Sequence, residues 1–124
     1  MKTAFLVSPF YEVNSAIYQK ARKFLEGEGF EVFAPIDYHC TDIASSTAKE
    51  FSREAMDRLE ASEYVFLVGD VESYIHSWFA GYAYARNKKL CLLVDKNFVY
   101  GDCPCILYHS VHSIVNMDSF YEKP

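Results

Sequence analysis

A chain of 124 residues, 51% of them hydrophobic and 23% charged, has the length and composition of one globular domain spanning residues 1–124. No apolar run approaches the ~18 residues of a membrane span, and the hydrophobic share is too high for a disordered chain. Twelve basic against seventeen acidic residues leave a net charge of −5, the wrong sign for a protein that binds duplex nucleic acid by displacing counterions from phosphates.

Thr3–Val7 is a continuous apolar run of strand length, and Ser8-Pro9 stops it because proline cannot donate to a ladder. That stop also comes too early for the core of a secretory signal, so a cytoplasmic protein is expected. From Asn14, a suitable N-cap, Ile17, Ala21, Phe24 and Leu25 recur at helical spacing, and Gly27 and Gly29 bracket the exit. Glu31–Ala34 reads as a second strand ended by Pro35, followed by a loop over Ile36–Ser46. Thr47 with Glu50 has the form of a capping box, and Ala48, Phe51, Ala55 and Leu59 then mark one face of an amphipathic helix. Tyr64–Val68 is the most apolar run and is expected at the centre of the sheet. After the loop Gly69–Ser73, a third helix is expected from about Ile75 to Asn87, with Trp78, Tyr82 and Ala85 sharing one stripe and Ile75 and Phe79 beside it. Leu90–Val94 is a fourth strand. Beyond it the sequence suggests a loop over Asn97–Pro104, a short helix over Cys105–His109 and a weak fifth strand over Ser113–Val115.

Strands alternating with helices form right-handed βαβ units, which place helices on both faces of a parallel sheet. The expected fold is therefore a small α/β, doubly wound, Rossmann-like or flavodoxin-like sheet of four to five parallel strands. Ligands of such sheets sit beyond the carboxyl ends of the strands, which selects the loops Ser8–Val13, Pro35–Ser46, Gly69–Tyr74 and Lys96–Cys103. Neither a dinucleotide-binding glycine fingerprint nor a phosphate-cradling P-loop is present, and no cofactor is expected. Cys103, Cys105, His109 and His112 offer soft ligands, but a C-x-C spacing interrupted by Pro104 falls outside the common zinc patterns, so packing is preferred to a metal site. Arg86, Lys88 and Lys89 are read as the last turn of the third helix, where cations complement the helix dipole. Ala80, Gly81, Ala83 and Ala85 are read as letting that helix approach the sheet. Asp70 and Glu72 follow the central strand at the ligand edge, where carboxylates can bind sugar hydroxyls or move protons, although Asp in a turn also serves local hydrogen bonds. His76 and Ser77, at the start of the next helix, share that ambiguity.

Ala4-Phe5-Leu6-Val7-Ser8-Pro9-Phe10 resembles the first strand and Gly-Pro-Phe loop of the nucleoside 2-deoxyribosyltransferases and the related 2′-deoxynucleoside 5′-phosphate N-hydrolases. Ala61–Asp70 is similar to that family's central strand, and Gly81-Tyr82-Ala83-Tyr84-Ala85 running into Lys88-Lys89-Leu90 is similar to its helix and following strand. The resemblance implies the same small α/β sheet, oligomers whose neighbouring subunits close the pocket, and cleavage of an N-glycosidic bond by a Glu that attacks the anomeric carbon. A carboxylate suits that chemistry because the transition state is oxocarbenium-like. The family's Glu stands two residues before Gly81, where this sequence has Phe79, and its upstream Gly-Thr pair and Asp align with Ile75-His76 and Ser73. The expectation is thus a homo-oligomeric protein that binds a nucleoside or nucleotide through Ser8, Pro9, Phe10, Tyr11, Ser73, Ser77 and Phe79 without cleaving it. The alternative is an active N-glycosidase or deoxyribosyltransferase in which Asp70, Glu72 or His76 has taken over catalysis. Aromatic residues make up 17% of the chain, a load that itself suggests a pocket or a subunit interface.

Overall fold

The computed structural model describes residues 2–7, 16–34, 46–68, 74–95 and 111–118. Within them the elements run β1 (Lys2–Val7), α1 (Ala16–Gly27), β2 (Phe30–Phe33), α2 (Ser46–Ala61), β3 (Tyr64–Val68), α3 (Tyr74–Ala85), β4 (Lys89–Val94) and β5 (Ser113–Asn116). All five strands are parallel, in the order β2-β1-β3-β4-β5. The N-terminal strand is internal, with Ala4 opposite Tyr64 and Lys2 opposite Phe30, and β3 is the middle strand, as its apolar run predicts. No helix among the described residues is long and apolar enough to cross a membrane.

Strand alternation divides the core into two layers. On one face Phe5, Val7, Val65, Leu67, Leu90 and Leu92 meet Ala55 and Leu59 of α2 and Phe79, Ala80 and Ala83 of α3. On the other, Ala4, Leu6, Phe66, Val68 and Leu93 meet Tyr18, Ala21, Phe24 and Leu25 of α1. Sheet positions covered on both faces need apolar residues at every step, which explains the unbroken runs in β1, β3 and β4.

Three local expectations are corrected. Helix α2 begins at Ser46, so Thr47 stands inside its first turn instead of capping it. Helix α3 ends at Ala85, because Asn87 adopts the left-handed conformation (φ 59°) and the Lys88 N–H donates to the Ala83 carbonyl at 2.9 Å, a Schellman closure. Arg86, Lys88 and Lys89 therefore lie beyond the helix. The third correction concerns which side of α3 faces inward: Phe79, Ala80 and Ala83 are buried, whereas Trp78, Gly81 and Ala85 are exposed. The expected small-residue contact thus holds for Ala80 and Ala83 alone. A helix that is apolar on all sides gives periodicity nothing with which to choose a face. The expected helix over Cys105–His109 lies outside the described residues.

Candidate functional site

The order 2-1-3-4-5 has a topological switch point between β1 and β3, since the chain winds outward from β1 in one direction and from β3 in the other. In sheets of this order a ligand is expected beyond the carboxyl ends of these two strands, which here are Val7 and Val68. Both residues are buried, with 1% and 0% of their surface exposed, so the strands deliver their following loops from a rigid floor. Ser8, Pro9, Phe10 and Tyr11 continue the chain from β1, and Asp70, Glu72 and Ser73 from β3; these seven lie outside the described residues. His76 and Ser77 stand in the first turn of α3, the helix that follows β3.

Phe79 is one position into the next turn, and its side chain turns inward. It is 5% exposed, and its ring centroid lies 5.1 Å from Phe5 of β1 and 5.0 Å from Trp78, edge to face with the indole. The side chain at this position is thus part of the apolar layer beneath the crevice. Asp95 is a candidate that sequence reasoning missed: it follows β4 directly at the same carboxyl edge and is half-buried. Its signal was available, because it stands just past an apolar strand as Asp70 stands just past Tyr64–Val68. Asp118, beyond β5, is held by the Lys20 ammonium of α1 and is committed to joining those elements.

Of the soft-ligand cluster, only His112 is among the described residues. Its Nδ1 accepts the Leu90 N–H at 3.2 Å and its own N–H donates to the Leu90 carbonyl at 2.7 Å, so it closes the end of the β4–β5 ladder. Cys91, also on β4, accepts a bond from the Ser113 hydroxyl at 3.2 Å, and burial pushes its thiol above the ordinary range.

The opposite, amino edge of the sheet carries the strongest ionic cluster among the described residues. Glu60, near the end of α2, receives two bonds from Arg86 (Nε to Oε1 2.9 Å, Nη2 to Oε2 3.0 Å) and one from the Tyr82 hydroxyl. The Lys88 ammonium donates to the Glu60 carbonyl at 2.6 Å, and Lys89 pairs with Glu63 at 3.1 Å. The cations that the sequence assigned to the dipole of α3 therefore tie α3 and β4 to the carboxyl end of α2. Arg86 first, then Tyr82, hold the Glu60 carboxyl below its ordinary value, while the bond to Glu60 raises Tyr82. A lowered carboxyl pKa contributes stability that is present above the unfolded-state value of about 4.3 and is lost as pH falls through the folded one. Glu60→Gln is accordingly expected to melt at a lower temperature than wild type at pH 7, with the gap narrowing as pH falls below about 4.3; a constant gap in thermal scans would contradict this role. A cleft of about 190 Å³ at this edge, between Thr3, Glu31, Phe33, Arg58 and Ser62, is below the volume of ordinary ligand pockets, and Arg58 lies over the Phe33 ring at 5.3 Å.

No protein-family model matches the chain, and no curated protein is significantly similar to it in sequence. Solved structures do match. A 2-deoxyribosyltransferase from Bacillus psychrosaccharolyticus superposes with a TM-score of 0.77 at 16% identity, covering 98% of this chain and 92% of that one. A conserved protein from Enterococcus faecalis V583 gives 0.68 at 11% identity, covering 98% and 96%. A CMP N-glycosidase from Clostridium botulinum gives 0.62 at 22% identity, covering 97% and 93%. With the strand order, the two-layer core and these superpositions agreeing over nearly the whole chain, the protein has the nucleoside 2-deoxyribosyltransferase-like fold.

Proposed function

We propose that this chain is a cytoplasmic, homo-oligomeric member of the nucleoside 2-deoxyribosyltransferase family that binds a nucleoside or nucleotide at the β1–β3 crevice and no longer cleaves it. The observation that carries the reading is Phe79. The family's attacking carboxylate belongs two residues before Gly81, and here that position holds a phenyl ring, 5% exposed and packed on Phe5. A phenyl ring can neither attack an anomeric carbon nor move a proton. Binding needs less: an apolar floor, polar groups from the loops after β1 and β3, and room at the switch point. Ser8, Pro9, Phe10, Tyr11, Ser73 and Ser77 are the ligand contacts we propose.

The test is a panel of deoxynucleosides and their 5′-monophosphates, followed by calorimetric titration for binding and by chromatography for free base. Micromolar binding of at least one member with base release at background is the expected result. Release of base by wild type would instead favour catalysis by Asp70, Glu72 or His76, and Asp70→Asn or Glu72→Gln should then lower kcat by ~10²-fold or more. Absence of both binding and release across the panel would remove the reading. Self-association at micromolar concentration, seen by sedimentation, is the expectation for a pocket shared between subunits.

A further inference from the structure

Leu90 is the first buried residue of β4 and is 0% exposed, so its backbone N–H and carbonyl cannot rely on water for a partner. Both are met by one residue. The His112 N–H donates to the Leu90 carbonyl at 2.7 Å, and the Leu90 N–H donates to Nδ1 of the His112 ring at 3.2 Å. In a parallel ladder the second bond would ordinarily end on a backbone carbonyl of the neighbouring strand. Here the ladder proper begins one step later, with Cys91 opposite Ser113, and an imidazole nitrogen stands in for that carbonyl. The exchange has a chemical consequence. A carbonyl accepts at any pH, whereas Nδ1 accepts only while it carries no proton, so the bond requires the neutral ring with its hydrogen on Nε2.

We infer that the His112–Leu90 pair is a proton-sensitive latch on the edge strand, closed while the imidazole is neutral and open once it is charged, so that acid frees the entry to β5. His112 is exposed, and a proton reaches the ring without any prior opening. Imidazole is also the side chain whose charge changes between pH 5 and 8. A proton on Nδ1 sets N–H against N–H, and the buried Leu90 amide then finds a partner only by opening to water. Strand β5 is the piece that yields, because it is four residues long, half-exposed, and has β4 as its one neighbour in the sheet. Its far end is anchored separately. Met117 is 0% exposed and Asp118 is held by Lys20 of α1, which confines the opening to the start of the strand. The charged and titratable groups around this end of β4 are engaged elsewhere. Arg86 and Lys88, on the chain entering β4, bond to Glu60 of α2, and Lys89 bonds to Glu63 and lies over the Tyr64 ring of β3 at 5.2 Å. The Cys91 thiol takes the Ser113 hydroxyl. None of these contacts uses the imidazole.

Amide hydrogen exchange followed by NMR, expressed as protection relative to each amide's intrinsic rate, tests the latch. Between pH 7.5 and pH 5.5 the protection of the Leu90 and His112 amides is expected to fall roughly tenfold, the equivalent of one hydrogen bond of ordinary net strength, while that of Leu67 in β3 holds. In His112→Asn the side-chain Oδ1 falls where Nδ1 was and cannot be charged, so Leu90 should stay protected at both pH values. In His112→Leu, which has no acceptor, its protection should be low at both. The nitrogen-15 shifts of the wild-type ring at pH 7.5 give an arm that needs no variant: Nδ1 should be bare and Nε2 protonated. Equal protection of Leu90 in wild type at the two pH values, a neutral ring protonated on Nδ1, or a pH dependence that survives in His112→Asn would each overturn the latch.

Discussion

Phe79→Glu is expected to destabilise the fold by more than about 4 kcal/mol at neutral pH, and to do so less in acid. Truncating a buried phenylalanine costs about 3–5 kcal/mol, and a carboxylate in its place adds the cost of a charge buried without a partner. Phe79 packs on Phe5 within a layer of Ala55, Leu59, Val65 and Leu67, which offers the charge nothing to bond to. Burial raises the pKa of such a carboxyl above its unfolded value, so its penalty is absent below the unfolded value and grows as pH rises through the folded one. Urea unfolding at pH 4 and pH 8 measures this directly: the gap to wild type should be clearly larger at pH 8. Equal stability of variant and wild type at pH 8 would show that position 79 faces solvent. The same physics limits any attempt to place a working carboxylate at position 79 by one substitution.

Phe5→Ala carries the second large effect, a loss of about 3–5 kcal/mol out of the ~5–15 kcal/mol that holds a domain together. Phe5 is 0% exposed and lies between two rings, Phe33 at 5.6 Å and Phe79 at 5.1 Å. It links the edge strand, the switch-point strand and α3 in one contact set, so the cavity has little room to collapse. Combined with Phe79→Ala the losses should fall short of their sum by about 0.5–1.5 kcal/mol, the share belonging to the ring pair. Strict additivity in denaturant titrations would mean that the rings do not interact.

How much of this was legible beforehand depends on the range of the interaction. Strands β1, β3 and β4 stood out because burial on both faces demands unbroken apolar runs, and Pro9 marks where the first of them stops, as Pro35 does after the shorter β2. The weak run at Ser113 became a strand only through its neighbour: it is half-exposed, and it is held by the β4 ladder and by His112. Helix α3 was legible as a helix but not in its orientation, because its sequence is apolar all round and the sheet selects the narrow side. The Glu60–Tyr82–Arg86 cluster was invisible because Tyr82, on α3, and Arg86, just past its end, lie 22 and 26 residues from Glu60 on α2, and each is an ordinary surface residue by itself. At the carboxyl edge, strand order alone selects the ends of β1 and β3, and Asp95 was legible as well, since the sequence already ends the fourth strand at Val94.

The pairing of β1 with β3 also has a consequence for synthesis on the ribosome. Ala4 waits for Tyr64, and at ~5–20 residues per second the interval between them is roughly 3–12 s. During it α1 and β2 can complete a local βαβ precursor only on one side, leaving the other edge of β1, whose residues Ala4 to Val7 are all buried in the finished protein, open to pairing with any other strand. Nascent chains released before Val68 has emerged, or fragments cut between α2 and β3, would carry that adhesive edge permanently and are candidates for inclusion bodies, whereas the full-length chain seals it with its own central strand.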